Sequence, residues 1–116
     1  MGLRSVLAEA ALPSAARAAG TYTSGAVANA GFAADVLLTV HCTASSGTPT
    51  LDVSLEESAD GITWTAIPGS AITQLTAAGN RVAAATVTKN YVRVTSTVAG
   101  TTPSVTYRVA AWVRPE

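Results

Sequence analysis

From Thr21 to the C-terminus, apolar and polar residues alternate with a period of two, and turn residues recur roughly every ten positions. Side chains on an extended strand point to opposite faces in turn, so this pattern specifies half-buried strands joined by tight connections, as in an antiparallel sandwich or barrel. Over 35–45, Val36, Leu38, Val40 and Cys42 share one face and Leu37, Thr39, His41 and Thr43 the other. Over 50–58, Leu51, Val53 and Leu55 point inward. Asp60-Gly61 is a hairpin signal, after which Ile62, Trp64 and Ala66 are expected to share a face up to Pro68-Gly69. A short piece over 70–75 leads to a turn at 78–80, and strands are expected over 81–87, 91–98 and 104–113. In the last of these, Val105, Tyr107, Val109, Ala111 and Val113 oppose Thr106, Arg108, Ala110 and Trp112. Ser46-Gly47-Thr48-Pro49 and Ala99-Gly100-Thr101-Thr102-Pro103 repeat one chemistry, and both are expected to be hairpin connections at one end of the domain.

Composition changes near Gly20. Residues 1–20 are rich in Ala, Leu and Arg, and Leu3, Val6, Leu7, Ala10 and Ala11 fall at helical spacing until Pro13 ends any helix. The expectation is an N-terminal extended or partly helical arm over 1–20, ordering against a partner, and a β-sandwich domain over 21–116, jelly-roll-like or immunoglobulin-like. Leu3, Arg4, Val6, Leu7 and Arg17 are the candidate arm contacts.

The chain has 116 residues, with seven Lys or Arg balancing seven Asp or Glu. No basic excess is available to drive phosphate contacts, which argues against a nucleic-acid partner. The longest apolar runs are too short for a membrane-spanning helix, so no membrane role is expected. Glu9 and Pro13 interrupt what would be the apolar stretch of a signal peptide, and assembly in a cytoplasm is expected. Only 25 residues are Val, Leu, Ile or Phe, so the core is thin and built from small side chains. A lone cysteine makes no intrachain disulfide, and no Cys/His cluster has metal-ligand spacing; no cofactor and no metal are expected.

Catalytic patterns are lacking as well. His41 and Cys42 are adjacent on a strand, so their side chains diverge and do not form a nucleophile-base pair. Glu56, Glu57, Asp60 and Asp52 form an acidic cluster without a calcium-loop pattern and read as solvated strand-end charge. No serine sits in a nucleophile elbow, and no phosphate-binding or dinucleotide fingerprint occurs. The expectation is a protein that is not an enzyme. Among the large rings, Trp64 and Tyr107 should face the core, while Tyr91 and Trp112 should face out, as an interface or a glycan-stacking surface.

The run TPTLDVSLEESADGITWTAIPGSAITQLTAAGNR, followed by NYVRVTSTVAGTTPSVTYRVAAW, resembles a family of small β-sandwich virion proteins of tailed bacteriophages. The similarity spans about residues 35–112, and LPSAARAAGTYTSG is similar to the family's N-terminal segment. The Ser-Ala-Asp-Gly-x-Thr-Trp turn and the paired Gly-Thr-x-Pro loops carry it; His41-Cys42 and the Ala-rich 82–86 stretch depart from it. The resemblance implies a capsid decoration or cement protein on the outer capsid surface, with the major capsid protein as partner and a homo-oligomer, a trimer at three-fold positions, as its assembly. A head–tail connector or tail accessory protein, or a carbohydrate-binding module on the virion surface, are the alternatives.

Overall fold

In the computed structural model, backbone is described for residues 4–24, 27–28 and 34–115, and side chains for 12–24 and 35–111. Seven β-strands and no helix make up these residues: β1 (Arg4–Arg17), β2 (Gly20–Thr23), β3 (Val27–Ala28), β4 (Ala34–Ser58), β5 (Thr65–Ala66), β6 (Gly79–Val87) and β7 (Tyr91–Pro115). β4 and β7 run antiparallel along their whole length, from Ala34 opposite Pro115 to Ser58 opposite Tyr91. At roughly 3.3 Å per residue such a ribbon, laid straight, would reach about 80 Å. The longest dimension of the molecule is 42 Å, so the ribbon folds over on itself.

The fold line lies where the two Gly-Thr-x-Pro loops meet. Thr48 pairs with Thr101 and Pro49 with Gly100, and the register shifts between Ser46 and Thr48. The two loops are therefore not hairpins joining the strands on either side of them. They are one corner through which both strands of the ribbon pass together from one layer to the other. A bulge or glycine at a corner lets a strand switch sheets without losing its partner. Gly47 (φ 75°) and Gly100 (φ 118°) meet that need, and Thr102 also sits at positive φ (42°).

Folding the ribbon yields two four-stranded layers. In the first, β1 pairs with residues 105–113 of β7, which pair with the first half of β4, which pairs with β6. In the second, β2 and β3 pair with residues 91–98 of β7, which pair with the second half of β4, which pairs with β5. Counting β2 and β3 as one segment and each half of β4 and of β7 separately gives eight segments in chain order, of which the first layer reads first, last, third, sixth and the second layer second, seventh, fourth, fifth. This is the jelly-roll arrangement of an antiparallel β-sandwich.

The core lies between the layers. Leu38, Val40 and Val109 from one sheet meet Leu51, Leu55 and Val94 from the other, all essentially inaccessible to water. Each such side chain contributes about 1.5–3 kcal/mol on burial, and the alternation that places them is the one visible in the sequence. Tyr107 and Cys42 are buried as expected.

Of the two forms expected of the N-terminal segment, extended or partly helical, the extended one is found and the helical alternative is corrected. Arg4–Arg17 is extended and pairs with β7, with register shifts between Arg4 and Leu7, Leu7 and Leu12, and Leu12 and Ala15. Leu12 enters the core. Interstrand hydrogen bonds and that burial outweigh the modest helical preference of Ala and Leu in a segment broken by Pro13. Trp64 and Ile62 are corrected too: β5 does not begin until Thr65, so both belong to the preceding loop, where Ile62 is 81% exposed and Trp64 is partly exposed.

Candidate functional site

The outward face of the first sheet is built by residues 35, 37, 39 and 41 of β4, flanked by β6 on one side and β7 on the other. Backbone register sets its rows: Asn80, His41 and Arg108; then Val82, Thr39 and Ala110; then Ala84, Leu37 and Trp112. Two large apolar side chains stand out in water here, Leu37 at 45% and Val82 at 66% exposure. They are diagonal neighbours, with only Thr39 and Ala84 completing the patch between them.

Beside this patch lies a shallow groove of about 210 Å³, lined by Thr39, His41, Asn80, Arg81, Val82 and Arg108 among others. His41 Nδ1 is hydrogen-bonded to Asn80 Oδ1, and Arg81 Nη1 donates to the Asn80 carbonyl at 2.9 Å. The groove thus offers two guanidinium groups, an imidazole and a hydroxyl. Among the described residues no carboxylate, serine or cysteine lines it. Cys42, next to His41 in sequence, points the other way into the core, where burial pushes its thiol above the ordinary value. The face offers apolar contact at Leu37 and Val82, a cation at Arg108 and a ring nitrogen at His41.

The acidic residues do not converge. Glu56 accepts from Arg93 Nε at 2.8 Å on the outer face of the second sheet. Glu57 points inward and accepts from the Thr88 N–H at 2.9 Å. Asp52 accepts from Gln74 Nε2 at 3.0 and 3.1 Å. Asp60 Oδ1 accepts from the Ser58 hydroxyl and the N–H groups of Ile62 and Thr63, which hold its carboxyl down at about 2, the Thr63 N–H contributing most. Among the described residues no group of three metal-ligating side chains comes together.

The two aromatics expected to face out fall in different sheets: Tyr91 lies opposite Ser58 in the second and Trp112 opposite Leu37 in the first. The Tyr91 ring is half-buried beside Gly61; the Trp112 side chain lies outside the described residues. Trp64 is a further, partly exposed ring, with the Arg93 guanidinium 4.3 Å over it. Such a cation–π contact on an exposed ring contributes about 0.5–1 kcal/mol.

Arg17, expected to reach a partner, is engaged within the sandwich. Its guanidinium lies over Tyr107 at 4.6 Å, donates to the Tyr107 carbonyl at 2.8 Å and to the Pro13 carbonyl at 2.7 Å. Arg4 and Leu7 pair by backbone with Val113 and Ala111, and Val6 lies in the same strand. The side chains of all three lie outside the described residues, as does Leu3 entirely. The sequence missed Leu37 and Val82 as a patch because they lie on separate strands; their exposure follows only once β6 is placed beside β4.

No protein-family model and no curated protein matches this chain. Several chains of solved structures are similar to it, among them the following two. One is a chain of infectious bursal disease virus Gx strain, with a TM-score of 0.59 at 11% identity over 90% of this chain and 31% of that one. The other is the xylanase 10B CBM22-1-GH10 modules of Clostridium thermocellum, with a TM-score of 0.47 at 12% identity over 97% of this chain and 29% of that one. The present chain therefore spans about a third of the length of each. The viral similarity is one of fold, and it agrees with the β-sandwich derived from the strand order.

Proposed function

We propose that this chain is a non-enzymatic structural protein of a bacteriophage virion, assembled in the host cytoplasm, that decorates the outer capsid surface and stabilises it by binding the major capsid protein. The observation that carries this reading is the outward face of the first sheet, where Leu37 and Val82 stand exposed beside Arg108 and His41. A patch of apolar side chains rimmed by polar groups is the usual form of a protein-binding surface. The jelly-roll topology, the similarity to a chain of a virus structure and the sequence resemblance over 35–112 all support the same class.

The test is co-sedimentation of the purified chain with expanded capsids made from the same genome, followed by electron microscopy of the decorated particles. The chain is expected to sediment with capsids at a fixed stoichiometry and to appear as added density on the outer surface. Leu37→Asp combined with Val82→Asp should weaken binding at least tenfold while leaving the fold intact, since both side chains are on the surface. Density confined to the neck or tail would replace decoration by a connector role. Undiminished binding by the double variant would remove this face as the contact.

A further inference from the structure

An edge strand presents unpaired N–H and C=O groups to any passing chain unless it is short, bulged, charged or interrupted by proline. The outer strands of the second sheet are fragments: β2 and β3, of four and two residues, on one side and β5, of two, on the other. One edge of the first sheet is β1, which shifts register three times and contains Pro13. The opposite edge is β6, and it is neither short nor bulged nor interrupted by proline. Its nine residues pair with β4 without a break, from Val87 opposite Ala34 to Gly79 opposite Cys42, and among the described residues they pair with no other strand. The sequence GNRVAAATV carries one charge and no proline.

We propose that β6 is a self-association edge, through which two copies of the chain pair antiparallel about a two-fold axis at Ala83 and join two four-stranded sheets into one. The strand is complementary to itself in that arrangement. Pairing about Ala83 sets Arg81 opposite Ala85 of the second copy, Asn80 opposite Thr86 and Val82 opposite Ala84, so the lone cation meets a neutral residue and no like charges face each other. Alanine on both sides of the axis lets the backbones approach without steric conflict. Ala83 and Ala85 already pack against the core on the inner side, and pairing continues that core across the axis. On the outer side, each exposed Val82 gains an apolar neighbour. The chain carries no net charge, so two copies do not repel. Because the contact is the same on both partners, it closes at two copies and leaves no β6 edge free. It is a two-fold contact where the sequence resemblance implied a three-fold one, and it does not depend on the capsid reading.

Light scattering on the full chain over a concentration series tests this, with Ala84→Lys and Ala84→Glu as variants. Ala84 is exposed, so neither change disturbs the core, and thermal unfolding of each variant checks that. The wild-type mass is expected to rise from 11.6 kDa to twice that value with concentration. Each variant alone should stay at the single-chain mass, because two like charges meet near the axis, and an equimolar mixture should recover the doubled mass. Hydrogen exchange on the wild type needs no variant: amides of 80–86 not bonded to β4 should slow as concentration rises. A wild type that remains single at millimolar concentration, a tripled mass, open-ended growth, or a dimer indifferent to both charges would each overturn the proposal. So would a mixture that fails to recover. Because these measurements contain no capsid, their failure is separable from failure of the decoration reading.

Discussion

Ser96 and Tyr107 lie eleven positions apart on one strand, yet the Ser96 hydroxyl and the Tyr107 phenol are 2.7 Å from each other in the buried interior. A straight strand would separate them by about 36 Å at its normal rise. The bond therefore closes the fold of β7 across the sandwich, and Arg17 anchors it from outside by lying over the Tyr107 ring.

Tyr107→Phe keeps the ring and removes this bond. The Ser96 hydroxyl keeps its other contact, to the Tyr22 carbonyl at 3.2 Å, so the loss is expected to be about 1 kcal/mol. Burial, the largest cause, raises the Tyr107 phenol above its ordinary value of 10.0. The fold thus favours the neutral phenol: its contribution is complete below pH 10 and is lost as pH rises through the folded value. Urea midpoints compared at pH 8 and pH 11 should show a larger alkaline loss for wild type than for Tyr107→Phe. Equal losses would place the alkaline sensitivity elsewhere.

The corner depends on its glycines. A methyl group on Gly47 would meet the Thr101 carbonyl oxygen at 2.7 Å and the Thr102 carbonyl oxygen closer still; one on Gly100 would strike the Thr48 carbonyl oxygen. Both positions also have positive φ, so alanine there combines a backbone clash with an unfavourable conformation. Gly47→Ala and Gly100→Ala are each expected to destabilise the chain by at least about 2 kcal/mol. Gly69→Ala is the control: its φ is also positive (79°), but no atom lies within 4 Å of the added carbon, so only the conformational cost remains. Thermal unfolding of the three variants checks the order.

How far the fold was legible depended on whether alternation ran unbroken. Over 35–42 and 105–111 it did, and the inward placement of Leu38, Cys42 and Tyr107 and the outward placement of His41 follow from it directly. Carried across Asp60-Gly61 it misled, because the Ser58 and Asp60 side chains organise a wide loop that delays the next strand to Thr65 and leaves Ile62 and Trp64 outside. The Gly-Thr-x-Pro segments have turn chemistry, but nothing local distinguishes a hairpin from a corner that two paired strands take together. The patch at Leu37 and Val82 depends on which strands become neighbours, a matter of long-range pairing rather than of period.

Ser70 was invisible for a related reason. Residues 67–75 flank β4 through scattered backbone bonds, Ile67 N–H to the Leu55 carbonyl and Ile72 N–H to the Val53 carbonyl, each at 3.0 Å. Between them the Leu55 N–H finds the Ser70 hydroxyl at 3.0 Å instead of a carbonyl, and that hydroxyl lies 2.7 Å from the Ile67 carbonyl. A side chain thus substitutes for a missing rung. Ser70→Ala leaves the Leu55 N–H buried without an acceptor and is expected to cost about 1–3 kcal/mol. Ser70→Gly should be no better, whereas Ser54→Ala, on the outer face, should change stability by less than about 0.5 kcal/mol. Denaturant unfolding of the three variants decides.

The loop after β4 gives a prediction at the acid end. Asp60 Oδ1 gathers the Ile62 N–H at 2.8 Å, the Thr63 N–H at 3.0 Å and the Ser58 hydroxyl at 2.9 Å, while the Gly61 N–H donates to Ser58 Oγ at 2.8 Å. Those donors favour the charged carboxylate and bring its pKa from 3.8 down to about 2. The sign follows from the folded form binding its proton less readily than the unfolded one. The contribution of Asp60 to loop order is present above about pH 4 and is lost as pH falls through about 2. Amide exchange at Ile62 and Thr63 should therefore remain slow at pH 4, relative to the intrinsic rate, and approach that rate near pH 2. Asp60→Asn retains an oxygen acceptor but not its charge, so protection at pH 4 should be intermediate; Asp60→Ala should abolish it. A wild-type loop that opens at pH 4 would show that the three donors do not hold the carboxylate. Loss of protection in Asp60→Ala at Ile67 as well would show that the loop and the strand region beyond it order as one unit.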